Sequence, residues 1–350
     1  MTHTFGKLLP AVLVAMALGA CSDNNNNNND GGSSEPPAPT PISIATPNAD
    51  RCEILDSDNC MFPWPSSTFT VADEAMVTGV RVNLNQESMP ANKQGVKLDP
   101  AEWNRNDGFS PSQMILAQVP GVDLDRTGAP PITDLEQSLS PDSPVVVIRA
   151  STGEQHLIFA ELDANTDDPS EQAFIIRPMV QFERGERYIV ALRNMRDASG
   201  ELLEAPEVFR ALRDDTLTDN DAIEGRRESM EEIFSILADA GVARDELYLA
   251  WDFNIASVEN ITERILHIRD DAFASLGGAA PEFTVTEVVD LAPCSESGCE
   301  SGQDQYKSRT IVGTFEVPNY LNSDSGAPGS PFFYDTPNDG LPDRLNGDNM

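Results

Sequence analysis

The chain has 350 residues, of which 58 are acidic and 23 are basic, and its formal net charge is −35. A protein this acidic repels the phosphates of nucleic acids, so we exclude nucleic acid as a partner. The chain is long enough for two domains of ordinary size, and its 39% of hydrophobic residues makes a core possible.

Residues 1–20 have the pattern of a lipoprotein signal peptide. Lys7 precedes an apolar run that is too short to span a membrane as a mature helix, and Leu18-Gly19-Ala20-Cys21 closes this run. The closing tetrapeptide is typical of a bacterial lipobox, whose cysteine becomes the lipidated first residue. We therefore expect Cys21 to anchor the protein to a membrane through acyl chains. The alternative is an ordinary cleaved signal in which Cys21 has no role.

Residues 21–48 predict a disordered tether. Ser22 and Asp23 are followed by a run of asparagines and then by a stretch rich in Gly, Ser and Pro. Such a segment lacks the apolar side chains that a core needs, and it behaves as a linker. Ser22, rather than an aspartate, follows Cys21, which usually accompanies export to the outer membrane of Gram-negative bacteria. We expect the protein at the outer membrane or cell surface of such a bacterium.

The other four cysteines predict two small disulfide loops. Cys52 lies close to Cys60 in the sequence, and Cys294 lies close to Cys299. Exported proteins fold in an oxidising compartment, where close pairs of cysteines form disulfides. A zinc site is a weaker alternative, because no histidine is near either pair. If the natural chain is longer, Cys294 and Cys299 could instead pair with cysteines beyond residue 350.

Residues 49–215 predict a β-rich, Ig-like domain. Short apolar runs have the composition of strands at residues 145–148, 156–162, 173–178 and 187–192. Glu183-Arg184-Gly185-Glu186 predicts the turn of a hairpin between the last two runs. Short strands separated by Gly and Asp turns are typical of a β-sandwich.

Residues 216–280 predict a helix–strand–helix segment. Apolar side chains within residues 230–240 recur at helical spacing, and residues 247–255 alternate as in a strand with one buried face. Ser257 can cap a second helix, whose apolar stripe begins at Val258.

Residues 281–350 predict a β segment and an acidic loop, as at the start of a further domain. Asp335, Asp339 and Asp343 resemble the alternate oxygen ligands of extracellular calcium loops. Pro337 departs from that pattern and no second repeat follows, so a solvated turn is favoured over a calcium site. We expect no other cofactor. The three segments together predict a mainly β fold with a helical insertion, of the α+β class.

The sequence contains no recognisable catalytic motif. The serine elbow Gly-x-Ser-x-Gly, the zinc motif His-Glu-x-x-His and the phosphate-binding P-loop are absent. His156 and His267 are the histidines that follow the signal, and neither has the nucleophile and orienting acid of a catalytic base in an identifiable motif. We therefore assign no catalytic residue. Trp64 and Trp103 are candidate platforms for a ligand, although packing is the more usual role of tryptophan.

Several motifs resemble the N-terminal region of large secreted bacterial lipase-like α/β-hydrolases: Met61-Phe62-Pro63-Trp64-Pro65-Ser66-Ser67-Thr68-Phe69, Thr78-Gly79-Val80-Arg81, Ile176-Arg177-Pro178, Gly185-x-x-Tyr188-x-Val190 and Leu249-Ala250-Trp251-Asp252-Phe253. Residues 175–200 also resemble bacterial Ig-like domains. In the hydrolase family, the catalytic domain follows this region and carries the serine elbow. The resemblance implies hydrolysis of carboxylic esters by a serine nucleophile beyond residue 350.

We therefore expect a lipid-anchored surface protein whose 350 residues form the non-catalytic N-terminal region of a lipase- or esterase-like α/β-hydrolase. Its partners would be the membrane, through Cys21, and a downstream hydrolase domain. The alternative is a stand-alone binding or adhesion lipoprotein without catalysis, which the missing serine elbow favours.

Overall fold

The structure is a computed structural model that describes residues 40–55, 59–294, 298–324, 326–335 and 339–345. These residues belong to one compact unit that begins at Thr40. The signal peptide, Cys21 and most of the predicted tether lie outside the described residues.

The described strands form small antiparallel sheets. In chain order they are β1 (Thr70–Ala72), β2 (Val80–Val82), β3 (Ile115–Gln118), β4 (Val145–Arg149), β5 (Ile158–Leu162), β6 (Ala173–Pro178), β7 (Arg187–Arg193), β8 (Leu247–Asn254), β9 (Phe283–Asp290) and β10 (Arg309–Phe315). Two sheets have three strands each, in the orders β4-β7-β8 and β3-β6-β5, while β1-β2 and β9-β10 are two-stranded ribbons. The prediction of a mainly β fold with a few helices is confirmed.

The described helices lie mostly in the second half of the chain. They are α1 (Leu124–Thr127), α2 (Glu207–Arg213), α3 (Asp221–Glu224), α4 (Arg227–Asp239) and α5 (Val258–Ser275). The apolar residues of α4 are buried as its periodicity predicts, and Gly241 follows the helix with a φ of 83°. A left-handed residue of this kind commonly ends a helix.

The sheet β4-β7-β8 forms the centre of the core. Strand β8 lies in the predicted helix–strand–helix segment, yet it pairs with β7, so the sheet crosses the predicted boundary at residue 215. The sequence predicts one buried face for β8, and this is wrong because every residue of the strand except Asn254 is buried. Helices α2 and α4 pack against β8, and the strand thus lies inside the protein rather than at its surface.

The folded body begins ahead of residue 49, where the sequence predicts the end of the tether. The backbone of Ile42 bonds to Leu217 and Asp219, and the Ile44 side chain is buried. Asn220 donates a hydrogen bond to the Ile44 carbonyl at 2.8 Å. Apolar side chains within the Pro-rich stretch therefore pack on the body instead of extending from it.

A buried carboxylate fastens the N-terminal segment to α4. Glu53 is fully buried, and its carboxylate accepts hydrogen bonds from Ser66 Oγ at 2.5 Å, Thr68 Oγ1 at 2.6 Å and Arg226 Nη1 at 2.8 Å. Burial raises the pKa of Glu53, but the charge of Arg226 and these hydrogen bonds outweigh burial and lower it below its ordinary value of 4.5. The carboxylate is therefore ionised and paired within the core.

A second ion pair ties the C-terminal segment to α5. Arg344 donates from Nε and Nη2 to the two carboxylate oxygens of Asp271, at 2.6 and 2.9 Å. The hydroxyl of Tyr320 donates to the same carboxylate. Burial and the neighbouring Asp271 raise the pKa of Tyr320 to about 12, so this hydroxyl stays a donor at neutral pH.

Candidate functional site

Both predicted cysteine pairs lie at disulfide distance. Cys52 pairs with Cys60, next to the buried Glu53, and Cys294 pairs with Cys299 between β9 and β10. Each bond closes a short loop, as the spacing predicts. The predicted lipidation site, Cys21, lies outside the described residues.

The three aspartates considered as a possible calcium loop form no group that could hold a metal ion among the described residues. Asp343 accepts a hydrogen bond from the backbone N–H of Asp335 at 2.7 Å, and Asp339 accepts one from Leu341 at 3.0 Å. Within the described part of the chain, no three His, Cys, Asp or Glu side chains form a group that could hold a metal ion. The geometry here is that of hydrogen-bonded turns.

His156 lies in an aromatic cluster. Its ring stacks on Phe182 at 4.4 Å between centroids, and its Nε2 lies 3.0 Å from the Val180 carbonyl oxygen. Burial lowers the pKa of His156 below 6.5, and the hydrogen bond to Val180 opposes that shift. These contacts are those of a packed ring. His267 lies on α5, beside the ion pair of Asp271.

The structure brings Trp64 and Trp103 together in one cleft of about 420 Å³. Trp64 is half-buried, with its ring 5.0 Å from that of Phe109, whereas 51% of Trp103 is exposed. The other described lining residues are Val82, Leu84, Asn106, Gly108, Ser110, Pro111, Gln113, Ala256, Asn260, Ile261 and Arg264. The cleft thus has aromatic and aliphatic walls with a few polar groups, as small-molecule sites usually do.

A close backbone approach builds this cleft. Phe109 N–H donates to the Asn254 carbonyl at 2.8 Å, and Ala256 N–H donates to the Phe109 carbonyl at 2.9 Å, which continues the pairing beyond β8. A Cβ on Gly108 would lie 2.6 Å from the Ala256 nitrogen, so only glycine fits there. The buried Asp107 carboxylate accepts from the Ser257 N–H at 2.9 Å and fixes the start of α5.

Arg264 is the cation of the cleft. Its Nη2 donates to Asn106 Oδ1 at 2.6 Å, and it forms no salt bridge with a described carboxylate. An adjoining cavity of about 560 Å³ shares Arg264 and Asn260. Neither of these side chains belongs to a recognisable sequence motif. The i, i+4 spacing of Asn260 and Arg264 indicates that they share one face of α5, but it does not indicate that this face borders a cleft.

A second unusual surface is the ribbon β9-β10. The pairing places Phe315 opposite Phe283 and Ile311 opposite Val288. Along β10, Ile311 and Phe315 are separated by an even number of positions and share a face. Their partners Val288 and Phe283 are separated by an odd number of positions on β9, and the register shift between Val312 and Gly313 brings both of them to that same face. The exposed fractions of these four residues range from 53 to 70%.

The stripe of α5 adds to the exposed apolar surface. Ser257 caps the helix as predicted, its Oγ accepting from Asn260 N–H at 3.1 Å. The stripe does not face the core, since no residue of α5 is buried. Ile265 is 59% and Phe273 67% exposed. The ribbon and α5 together leave more apolar surface uncovered than scattered single residues would.

Comparison with family models, with curated proteins and with solved structures finds no match to this chain. Among the described residues, no helix has both the length and the apolar character that crossing a membrane requires.

Proposed function

We propose that this chain is the lipid-anchored, non-catalytic N-terminal region of a lipase- or esterase-like surface protein, and that its ribbon β9-β10 and helix α5 support the hydrolase domain. The observation that carries this proposal is the uncovered apolar face of the ribbon, centred on Val288 and Ile311. The acyl chains on Cys21 would hold the assembly at the outer membrane. The reaction, hydrolysis of carboxylic esters by a serine nucleophile, rests on the sequence resemblance.

The two faces of the ribbon differ in chemistry. The opposite face is more polar, although not free of apolar residues: it carries Thr284, Glu287, Val289, Thr310, Val312 and Thr314. An isolated two-stranded ribbon is marginally stable in water, and one apolar face makes it less soluble. A body that packs on this face would supply the burial that the ribbon lacks.

The outer edges of the ribbon are also free. In the described structure β9 pairs with β10 alone, so each strand has one edge of unpaired backbone groups. Such edges accept further strands. Open edges and an apolar face are features of the first strands of a larger sheet. We therefore favour a following domain of the same polypeptide as the body that covers this face.

We also propose an Ig-like arrangement for the two three-stranded sheets. Consecutive strands pass from one sheet to the other, as β3 to β4, β4 to β5 and β6 to β7 do. Crossing between sheets of this kind is typical of β-sandwiches.

The alternative is a stand-alone binding or adhesion lipoprotein. The cleft between Trp64 and Trp103 is the observation that favours it, because an exposed tryptophan beside an open cavity is a common binding feature. This function requires no second domain.

The test is the intact mass of the protein from its native membrane, followed by hydrogen exchange. We expect a mass well above the 38.0 kDa of this chain, and slow amide exchange in β9 and β10 in the native protein. In the 350-residue chain alone, the same amides should exchange faster than those of the buried strand β7. A native mass equal to the lipidated chain, with fast exchange in the ribbon, would overturn the proposal in favour of the stand-alone protein.

A matched pair of variants tests the face itself. Ile311→Lys places a charge on the apolar face, while Thr310→Lys places one on the opposite face of the same strand. In the native protein we expect Ile311→Lys to restore fast exchange in the ribbon and to lower ester hydrolysis. Equal effects of the two variants would contradict docking on the apolar face.

A further inference from the structure

The aromatic cleft is free of acidic side chains. None of the described residues that line it is Asp or Glu, in a chain whose net charge is −35. The charged residues of the adjoining cavity are three acids and three arginines: Asp73, Glu263, Asp339, Arg81, Arg105 and Arg264. The charges of that cavity therefore balance, whereas the cleft is lined by one cation and no acid, so an anion is favoured in the cleft.

The cleft also holds a cation that no carboxylate neutralises. Most arginines of the described residues form salt bridges, for example Arg227 with Glu224 and Arg244 with Glu231. Arg264 instead donates to the neutral amide of Asn106, which leaves its full positive charge at the cleft. A guanidinium is well suited to pair with a carboxylate through two parallel hydrogen bonds.

Two amide groups of the lining are incompletely bonded. Gln113 Nε2 and Asn260 Oδ1 are buried and have no hydrogen-bond partner among the described residues. Buried polar atoms without partners are rare, because each has lost its hydrogen bonds to water without replacement. A ligand carboxylate would supply a hydrogen-bond acceptor for Nε2 of Gln113.

The remaining walls are apolar and large enough for a hydrocarbon body. Trp103 and Ile261 are 51 and 39% exposed, and Val82 and Leu84 complete this side of the cleft. A volume of about 420 Å³ lies within the range of small-molecule sites. A small inorganic anion would leave these apolar walls exposed to solvent, whereas a ligand with a hydrocarbon body would cover them.

We propose that the cleft binds an amphiphilic monocarboxylate, with its carboxylate on Arg264 and its apolar body against Trp103. This goes beyond the proposed function, since it holds whether or not a hydrolase domain packs on the ribbon. The charge selects an anion, and the aromatic wall selects one with an apolar body.

The test is a titration of the full chain with octanoate, followed by tryptophan fluorescence. Trp64 and Trp103 line the cleft, while Trp251 is fully buried and serves as an internal reference. We expect octanoate to change the fluorescence saturably. Octanol keeps the chain without the charge and acetate keeps the charge without the chain, so both should bind at least about tenfold more weakly.

Variants assign the interaction to its residues. Arg264→Gln should weaken octanoate binding about tenfold or more, and Arg264→Lys should weaken it less. Arg184→Gln is the matched control, because Arg184 also donates to an amide oxygen, that of Gln181, but does not line the cleft. Trp103→Ala should weaken binding without lowering the melting temperature, since Trp103 is half-exposed.

The proposal is overturned if octanol binds as tightly as octanoate, if Arg264→Gln and Arg184→Gln behave alike, or if a neutral oligosaccharide saturates the cleft and octanoate does not. None of these outcomes depends on the native mass or on exchange in the ribbon, so the failure of one proposal is distinguishable from that of the other.

Discussion

Replacing Glu53 by glutamine is expected to destabilise the chain by about 3 kcal/mol. Glutamine keeps the shape of the side chain but removes the charge that faces Arg226. It also replaces an acceptor oxygen with a donor, opposite the hydroxyls of Ser66 and Thr68. Breaking a buried ion pair on one side costs about 3–5 kcal/mol, and the 21% exposure of the Arg226 side chain places the expected value at the lower end.

Thermal unfolding followed by circular dichroism measures this effect. A loss of about 1 kcal/mol lowers Tm by roughly 2–4 °C in domains of about 150–250 residues, so we expect a drop of about 6–12 °C. Glu154→Gln is the matched control, because Glu154 pairs with Arg149 and is 67% exposed. It should cost less than about 1 kcal/mol. A drop for Glu53→Gln that is no larger than that of the control would refute the reasoning.

The pH dependence gives a second test of the same pair. The pKa of Glu53 in the folded protein is lower than its ordinary value of 4.5, so the folded state binds fewer protons there than the unfolded state. The stabilisation is therefore complete above about pH 4.5 and is lost as the pH falls through the folded pKa. The difference in Tm between the wild type and Glu53→Gln should shrink on acidification below that value. A constant difference would mean that Glu53 is not ionised in the core.

Three further outcomes are expected. The wild type should lose Tm between about pH 7 and pH 5, because the pKa of the buried imidazole of His156 is lowered and the unfolded state therefore takes up a proton first. His156→Phe removes this titration and should flatten the fall of Tm. Equal slopes for the variant and the wild type would contradict this. Gly108→Ala should cost about 1–3 kcal/mol in urea unfolding, since its Cβ would meet the Ala256 nitrogen, while Ser110→Ala, at an exposed position, should have little effect. Calcium and a chelator should leave Tm unchanged, because the described residues hold no metal-binding group; a rise in Tm with calcium would instead support the less favoured alternative, a calcium site at Asp335, Asp339 and Asp343.

Much of the fold can be predicted from local patterns. The strands at 173–178 and 187–192 and the helix α4 follow from apolar runs and helical periodicity, and Ser257 caps α5 as its position indicates. Whether a surface is covered does not follow from such patterns. The periodicity of α5 is the same whether its stripe meets the core or solvent, and the burial of β8 on both faces depends on helices that pack against it from elsewhere in the chain.

The cleft was less accessible to sequence reasoning. Trp64 and Trp103 are identifiable as candidate platforms, but their meeting depends on the pairing of Phe109 with the chain after β8, which is a contact between distant parts of the sequence. Arg264 carries no distinguishing motif. It is notable because it forms no salt bridge with a described carboxylate and lines a cleft without acidic residues, and only a folded structure shows either fact.

The ion pair between Asp271 and Arg344 has a mechanical consequence for the ribbon. The two residues are 73 positions apart, and both strands of the ribbon lie in the chain between them. This stretch is attached to α5 at two positions: covalently at the end of the helix, and through the ion pair of Arg344 with Asp271. The ribbon is therefore attached to α5 on both sides, and a pull on it is shared between the end of the helix and the Asp271–Arg344 ion pair.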